Sequence, residues 1–230
     1  MKNKVSAVIL AGGDGKRMGE TIAKQFLEID GVSVLERSVD AFSRCELVDE
    51  IVLVIRQGDD DAVNPIAKKY SKVKKLCYGG SYRAESAKNG YYCCSEDSDV
   101  VAIHDAARCL ITPEMITKVI EKAQKKGAAT AASRLYDTVK RADSEGKIYE
   151  TVNRDGLWCA ATPQAFSYEL YGRALNECFD TGVTDDNMLV ERLGVSVFCV
   201  DTGKTNIKIT EKEDVALAEF ILRKRKEVTV

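Results

Sequence analysis

The chain has 230 residues, enough for one sizeable core, and 36 acidic against 34 basic residues leave a formal net charge of −2. No global field therefore draws in nucleic acid or an anionic membrane, and any anion site must be local. Eight cysteines without a C-x-x-C pair and a single histidine, His104, give a Cys/His metal site little to build on; the cysteines read as reduced thiols used as small apolar residues.

Met1-Lys2-Asn3-Lys4 runs straight into an apolar stretch too short for a signal peptide or a membrane span, which sets the expectation of a cytoplasmic protein. That stretch, Val5–Leu10, reads as the first strand, and a glycine loop follows it. Helix Val34–Ser43, strand Ile51–Ile55, helix Asp60–Ser71, strand Val73–Tyr78, helix Ala84–Cys94 and strand Val100–His104 come next, then helix Pro113–Lys126 and strand Ala128–Ser133. Residues 135–163 break the rhythm. Thr138–Arg141 and Ile148–Val152 flank the turn-like Ser144-Glu145-Gly146-Lys147, the pattern of a β-hairpin arm. Helices Tyr168–Asp180 and Asp185–Leu193, strand Val195–Val200 and helix Lys212–Arg225 complete the chain. Strands apolar throughout and alternating with amphipathic helices predict an α/β fold. The expectation is a doubly wound, Rossmann-like, mostly parallel sheet in a single domain, 1–230, with ligands at the carboxyl ends of its strands. The two-stranded arm is marginal alone and is expected to pack against a second subunit.

The loop Leu10-Ala11-Gly12-Gly13-Asp14-Gly15-Lys16-Arg17-Met18-Gly19 follows the first strand directly. Three glycines in four positions remove Cβ atoms that would keep backbone N–H groups from a ligand and permit positive φ; such a concavity of amides binds phosphate. Arg17 and Lys24 add charge suited to a polyanion. A Walker A loop would need Ser or Thr after Gly15-Lys16, where Arg17 stands, and a dinucleotide fingerprint fails at its third glycine.

The run Leu-Ala-Gly-Gly-x-Gly-x-Arg-Met at positions 10–18, with Lys24-Gln25-Phe26 after it, resembles the signature of the sugar-phosphate nucleotidyltransferases. Within that group the chain is most similar to the 2-C-methyl-D-erythritol 4-phosphate cytidylyltransferases of the non-mevalonate isoprenoid pathway. The similarity continues through Gly79-Gly80 with Arg83 and Ser86, His104-Asp105-Ala106-Ala107-Arg108, and Asp137 to Arg141. Arg154-Asp155-Gly156-Leu157-Trp158, Ala161-Thr162-Pro163-Gln164, Thr184-Asp185 and Asn206-Ile207-Lys208-Ile209-Thr210 carry it to the end of the chain.

The resemblance implies transfer of CMP from CTP to methylerythritol phosphate with release of pyrophosphate. It implies that Arg17 and Lys24 act on the triphosphate and that Arg154 and Lys208 fix the incoming phosphate. Nucleotide contacts are expected at Ala11, Gly12, Gly13, Asp14 and Gly15 in the loop, and at Gly80, Ser81, Ser86 and Ala106. Substrate contacts are expected at Asp105, Arg108, Thr138, Thr162 and Thr184. Mg2+ is expected to bridge the CTP phosphates, with Asp105 as its candidate protein ligand, and the family is homodimeric. As a bare residue at the end of a strand, Asp105 could equally cap the following segment. A phosphate monoester with a second pKa near ~6 is ionised at neutral pH, so no general base is required, and His104 reads as structural.

Ala23 and Cys109 stand where the family commonly has proline, Ser81 where an acidic residue is frequent, and Gly12 where alanine is common. Gly12 also occurs in ribitol-5-phosphate cytidylyltransferases, which makes a pentitol phosphate the alternative substrate. Readings of another class are a nicotinamide-dependent dehydrogenase, favoured by the glycine loop alone, and a non-catalytic nucleotide-binding protein.

Overall fold

The computed structural model describes residues 3–13 and 23–228. In chain order, β1 (Val5–Leu10) is followed by a 3-10 helix at Lys24–Phe26, the short ladder of β2 (Glu28–Ile29) with β3 (Val32–Ser33), α1 (Val34–Arg44), β4 (Glu50–Ile55), α2 (Asp60–Lys69) and β5 (Val73–Tyr78). Next come α3 (Arg83–Cys93), β6 (Val100–Asp105), α4 (Pro113–Lys126), β7 (Ala128–Arg134), β8 (Val139–Ala142) and β9 (Ile148–Val152). The chain ends with β10 (Trp158–Ser167), α5 (Tyr168–Glu177), α6 (Asn187–Arg192), β11 (Phe198–Asp201) and α7 (Lys212–Val228).

Seven strands form one sheet in the order β11-β7-β10-β6-β1-β4-β5. Every pair is parallel except those made by β10, which runs antiparallel between β6 and β7. The predicted α/β architecture is therefore present. β1, β4 and β6 are buried along their length apart from Leu10, as continuous apolar runs require of strands covered on both faces. Val5, Ala7 and Ile9 of β1 pack with α1, α2 and α4, whereas Val8 packs with α3, α5 and α6 on the opposite face. The helices start where their caps place them. Ser33 Oγ accepts from Glu36 N at 3.2 Å at the head of α1, and α4 has Thr112 as its cap, Pro113 in its first turn and Gly127 at φ 86° after its end.

From β1 the chain winds outward to β4 and β5, then returns to the other side of β1 with β6. The switch point lies between β1 and β6, and a crevice opens beyond their carboxyl ends.

Three expectations need correction. The arm ends before Trp158, because residues 158–167 form β10 inside the main sheet. Pro163 is tolerated in this strand because it falls between Ala160 and Gln164, where the ladder with β7 shifts register and no regular bond is required of it. The last strand begins at Phe198 rather than Val195, since its neighbour β7 begins only at Ala128. β5 is not buried on both faces: it is an edge strand, and Lys74 and Lys75 face solvent. The arm itself is β8 paired antiparallel with β9 as a separate two-stranded sheet. Its turn is built on Asp143, whose Oδ1 accepts from Glu145 N at 3.0 Å and Lys147 N at 2.9 Å.

Among the described residues no helix is long and apolar enough to cross a membrane. All eight cysteines are unpaired.

Candidate active site

Past Leu10 the chain runs along the end of β4, where Ala11 N donates to Val54 O at 2.7 Å. Gly12 and Gly13 both avoid the left-handed region, so positive φ does not explain glycine at these two positions. A Cβ on Gly12 would lie 3.6 Å from the Ile55 carbonyl, an ordinary contact. The second glycine turn is the sterically constrained one. A Cβ on Gly79 would come within 2.7 Å of Ser86 Oγ, and one on Gly80 would overlap Glu85 Cβ. That closeness serves the turn: Ser86 Oγ accepts from Gly80 N at 3.1 Å and donates to Tyr82 O at 3.2 Å. Glu85 Oε2 accepts from Ser81 N at 2.7 Å and from Tyr82 N at 3.2 Å. The first turn of α3 is thereby fixed with its N-terminus at the crevice.

The third wall comes from β6 and from residues 206–209. Asp105, the last residue of β6, is buried, and its N–H donates to Thr162 Oγ1 at 3.0 Å. Asn206 Nδ2 donates to Thr162 O at 2.9 Å, Arg108 Nη1 to Asn206 O at 2.8 Å, and Ile209 N to Ala107 O at 2.8 Å. These bonds lay the segment against the end of β6 and bring Lys208 Nζ to 2.7 Å from Asp105 Oδ2. The other carboxylate oxygen, Oδ1, accepts from Arg83 Nε at 3.0 Å. Burial alone would raise the pKa of Asp105, but the charges of Arg83 and Lys208 outweigh it and hold the carboxyl well below the usual range. Asp105 is thus an anion at any working pH.

These elements enclose a cleft of about 250 Å³. Ten of the residues singled out from sequence line it. They are Ala11, Gly12 and Gly13 of the first loop with Lys24, then Gly80, Ser81 and Ser86, and lastly Asp105, Ala106 and Lys208. Asp14, Gly15 and Arg17 lie outside the described residues.

The other five are elsewhere. Thr162 is buried, with its hydroxyl taken by Asp105 N and by His104 Nδ1 at 3.1 Å, so it supports Asp105 instead of facing a ligand. Arg108 is half-buried and braces residue 206. Thr184 is exposed beside Met188, its Oγ1 3.2 Å from the sulfur. Thr138 and Arg154 sit exposed at the arm, and Arg154 Nη1 donates to Tyr136 O. His104 is wholly buried, its ring tilted 50° against that of Phe42 with centroids 4.9 Å apart; burial pushes its pKa down to about 3 and leaves it neutral.

Motif reading named Arg83 but gave it no role, yet it lines the cleft and binds Asp105. One signal was available. An arginine at the first residue of a helix opposes the helix dipole, so its presence there asks for carboxylate partners.

Mg2+ prefers one or two carboxylates plus phosphate oxygens and water. Asp105 is the sole carboxylate among the described lining residues, and no cluster of three metal-binding side chains exists among the described residues. That donor set fits an ion delivered on a polyphosphate, not one caged by protein.

The family model described as 2-C-methyl-D-erythritol 4-phosphate cytidylyltransferase (IspD) matches residues 5–224. The 2-C-methyl-D-erythritol 4-phosphate cytidylyltransferase of Syntrophus aciditrophicus is 41% identical over 231 residues, covering 97% of this chain and 98% of that protein. The one from Endomicrobium trichonymphae is 41% identical over 223 residues, covering 97% and 100%. Among solved structures, 4-diphosphocytidyl-2C-methyl-D-erythritol synthase from Anaerococcus prevotii superposes with a TM-score of 0.82 at 34% identity, covering 97% of this chain and 100% of that one.

Proposed function

The chain belongs to the 2-C-methyl-D-erythritol 4-phosphate cytidylyltransferase family, and from that premise we infer that it transfers CMP from CTP to 2-C-methyl-D-erythritol 4-phosphate in isoprenoid precursor synthesis. The observation that carries the reading is the meeting of Lys24, Lys208 and Arg83 with the first loop and the head of α3 around one cleft. A monoester oxygen of the sugar phosphate forms a bond to the α-phosphorus of CTP. The bond from that phosphorus to its bridging oxygen breaks, and pyrophosphate leaves with the electron pair. Both reactants are polyanions, so the work is positioning and charge compensation.

In this reading Lys24 and Arg17 act on the triphosphate and Lys208 on the incoming phosphate, while Gly80, Ser81, Ser86 and Ala106 hold the nucleoside. Helix α3 adds its N-terminal amides, which favour anions. Mg2+ would be held by the triphosphate with Asp105 as protein ligand, and when bound it would offset charge on the phosphoryl oxygens. Thr162 acts on Asp105 from behind, and Arg108 on the segment carrying Lys208.

Arg154 and Thr138 belong to the arm, which carries exposed Tyr136, Ile148, Tyr149 and Leu157 along or beside its strands. An apolar two-stranded arm of this kind needs a surface to cover it. A two-fold homodimer supplies one, and in it Arg154 and Thr138 would serve the cleft of the second copy. Unpaired cysteines throughout and CTP as substrate both suit a cytoplasmic enzyme.

A thermal-shift series with Mg2+ and CTP, UTP, GTP, ATP or NADPH, followed by pyrophosphate release on adding methylerythritol phosphate, tests the reading. CTP should stabilise most and turnover should follow. Stabilisation by NADPH instead, or CTP binding without pyrophosphate release, would refute it.

A further inference from the structure

We propose that Arg83 is a positioning residue for the transfer reaction: its guanidinium fixes the Asp105 carboxylate and shares its charge, which weakens that carboxylate's hold on Lys208 and lets the ammonium turn to the incoming phosphate. The proposal rests on the cytidylyltransferase reading and deepens it. Arg83 Nε donates to Asp105 Oδ1 at 3.0 Å, and Nη1 donates to Asp186 Oδ2 at 2.8 Å. Asp186 is wholly buried; its Oδ1 accepts from Tyr171 Oη at 2.7 Å, and its N–H donates to Gln164 Oε1 at 2.9 Å. A continuous run of bonds therefore leads from Tyr171 through Asp186, Arg83 and Asp105 to Lys208.

The charges along this run cancel in pairs. Lys208 and Arg83 are cations; Asp105 and Asp186 are anions. Without Arg83 the run is one charge more negative, at the rim of a cleft that has to admit two polyanions. Asp105 already holds Lys208 Nζ at 2.7 Å, and without Arg83 to share its charge it would hold that ammonium more tightly against the substrate phosphate. A guanidinium suits this task because its nitrogens lie in a rigid fork and can engage two carboxylates at once, which a lysine cannot reproduce. A pair serving only to tie α3 to α6 would need Asp186 alone. Here the same side chain reaches forward to the one carboxylate lining the cleft among the described residues, and its remaining nitrogen, Nη2, is buried without a partner among those residues.

Arg83→Gln alone strands Asp186 as a buried unpaired charge and would confuse folding with positioning. The test is therefore the double variant Arg83→Gln/Asp186→Asn, together with Arg83→Lys, which keeps the charge beside Asp186. The double variant should melt close to the parent and keep the thermal shift given by CTP and Mg2+. It should lose on the order of 10²-fold in kcat/KM for the sugar phosphate, mostly through KM for that substrate, with KM for CTP changed by less than about threefold. Arg83→Lys should show the same selective loss at smaller size. Parental kinetics in either variant would overturn the proposal, and so would an equal loss toward both substrates. If the parent protein itself released no pyrophosphate, the failure would belong to the underlying cytidylyltransferase reading.

Discussion

Asp105 and Arg154 were both singled out by sequence motifs, and the molecule treats them in opposite ways. Asp105 ends a buried strand, with its N–H bonded to Thr162 and its two oxygens bonded to Arg83 and Lys208. Arg154 is exposed on a two-stranded arm, where its side chain donates to Tyr136 O nearby. The contrast teaches that the chain prearranges the cleft groups that hang from its central sheet and its buried hydrogen bonds. The arm is a separate two-stranded sheet without such a scaffold, and in the proposed homodimer a second copy would supply one.

The largest effect should come from the cleft. Lys24→Ala removes a cation at the triphosphate and should lower kcat by about 10²–10³ without lowering the melting temperature. Pre-steady-state turnover near the parental rate would break the assignment of chemistry to this region.

Arg154→Ala should be nearly as severe, yet it can be rescued. If the arm serves a second copy, mixing the inactive Lys24→Ala and Arg154→Ala chains creates hybrid dimers with one intact site. Activity should then recover to about a quarter of the parental value, for random pairing in a two-fold dimer. A mixture that stays inactive would place Arg154 in its own chain's site or in none. Placing a charge on the arm sharpens the point: Ile148→Asp with Tyr149→Asp should convert dimer to monomer in light scattering, and an unchanged mass would remove the arm from the interface.

The smallest effect lies in the buried layer behind Asp105. His104 is the sole histidine, held neutral in the fold by a pKa pushed down to about 3 from an ordinary 6.5. The unfolded chain therefore takes up this proton first as pH falls below 6.5, and stability contributed above that pH is lost going down. The loss from this group should be about 1.4 kcal/mol per pH unit. Stabilities from urea melts of the parent and His104→Asn should diverge in their dependence on pH between pH 6.5 and about 5; parallel dependences would show that His104 is open to water.

What was legible in the sequence follows the same division. β1 and α4 were readable to the residue, because a continuous apolar run and a Thr-Pro start with a glycine stop are local signals. β10 was not, since its burial is imposed by neighbours on both sides while its own residues, Ala160, Ala161, Pro163 and Ala165, have little strand character. The cleft-lining residues of the glycine turns, Asp105 and Lys208 were found by resemblance to ordered motifs. The bridge made by Arg83 was not, because its partners Asp105 and Asp186 stand 22 and 103 positions away and only the fold brings them together. Thr162 and Thr184 lie outside the cleft lining; motif membership does not reveal which partner the fold gives a hydroxyl, here Asp105 N and His104 for one and Met188 for the other.

The most direct test offers the enzyme CTP and Mg2+ with equal amounts of methylerythritol 4-phosphate and ribitol 5-phosphate and follows the phosphorus NMR spectrum. The account predicts pyrophosphate and a single new diphosphate diester, that of cytidine and methylerythritol. Unchanged CTP, or a diester carrying ribitol, would contradict it.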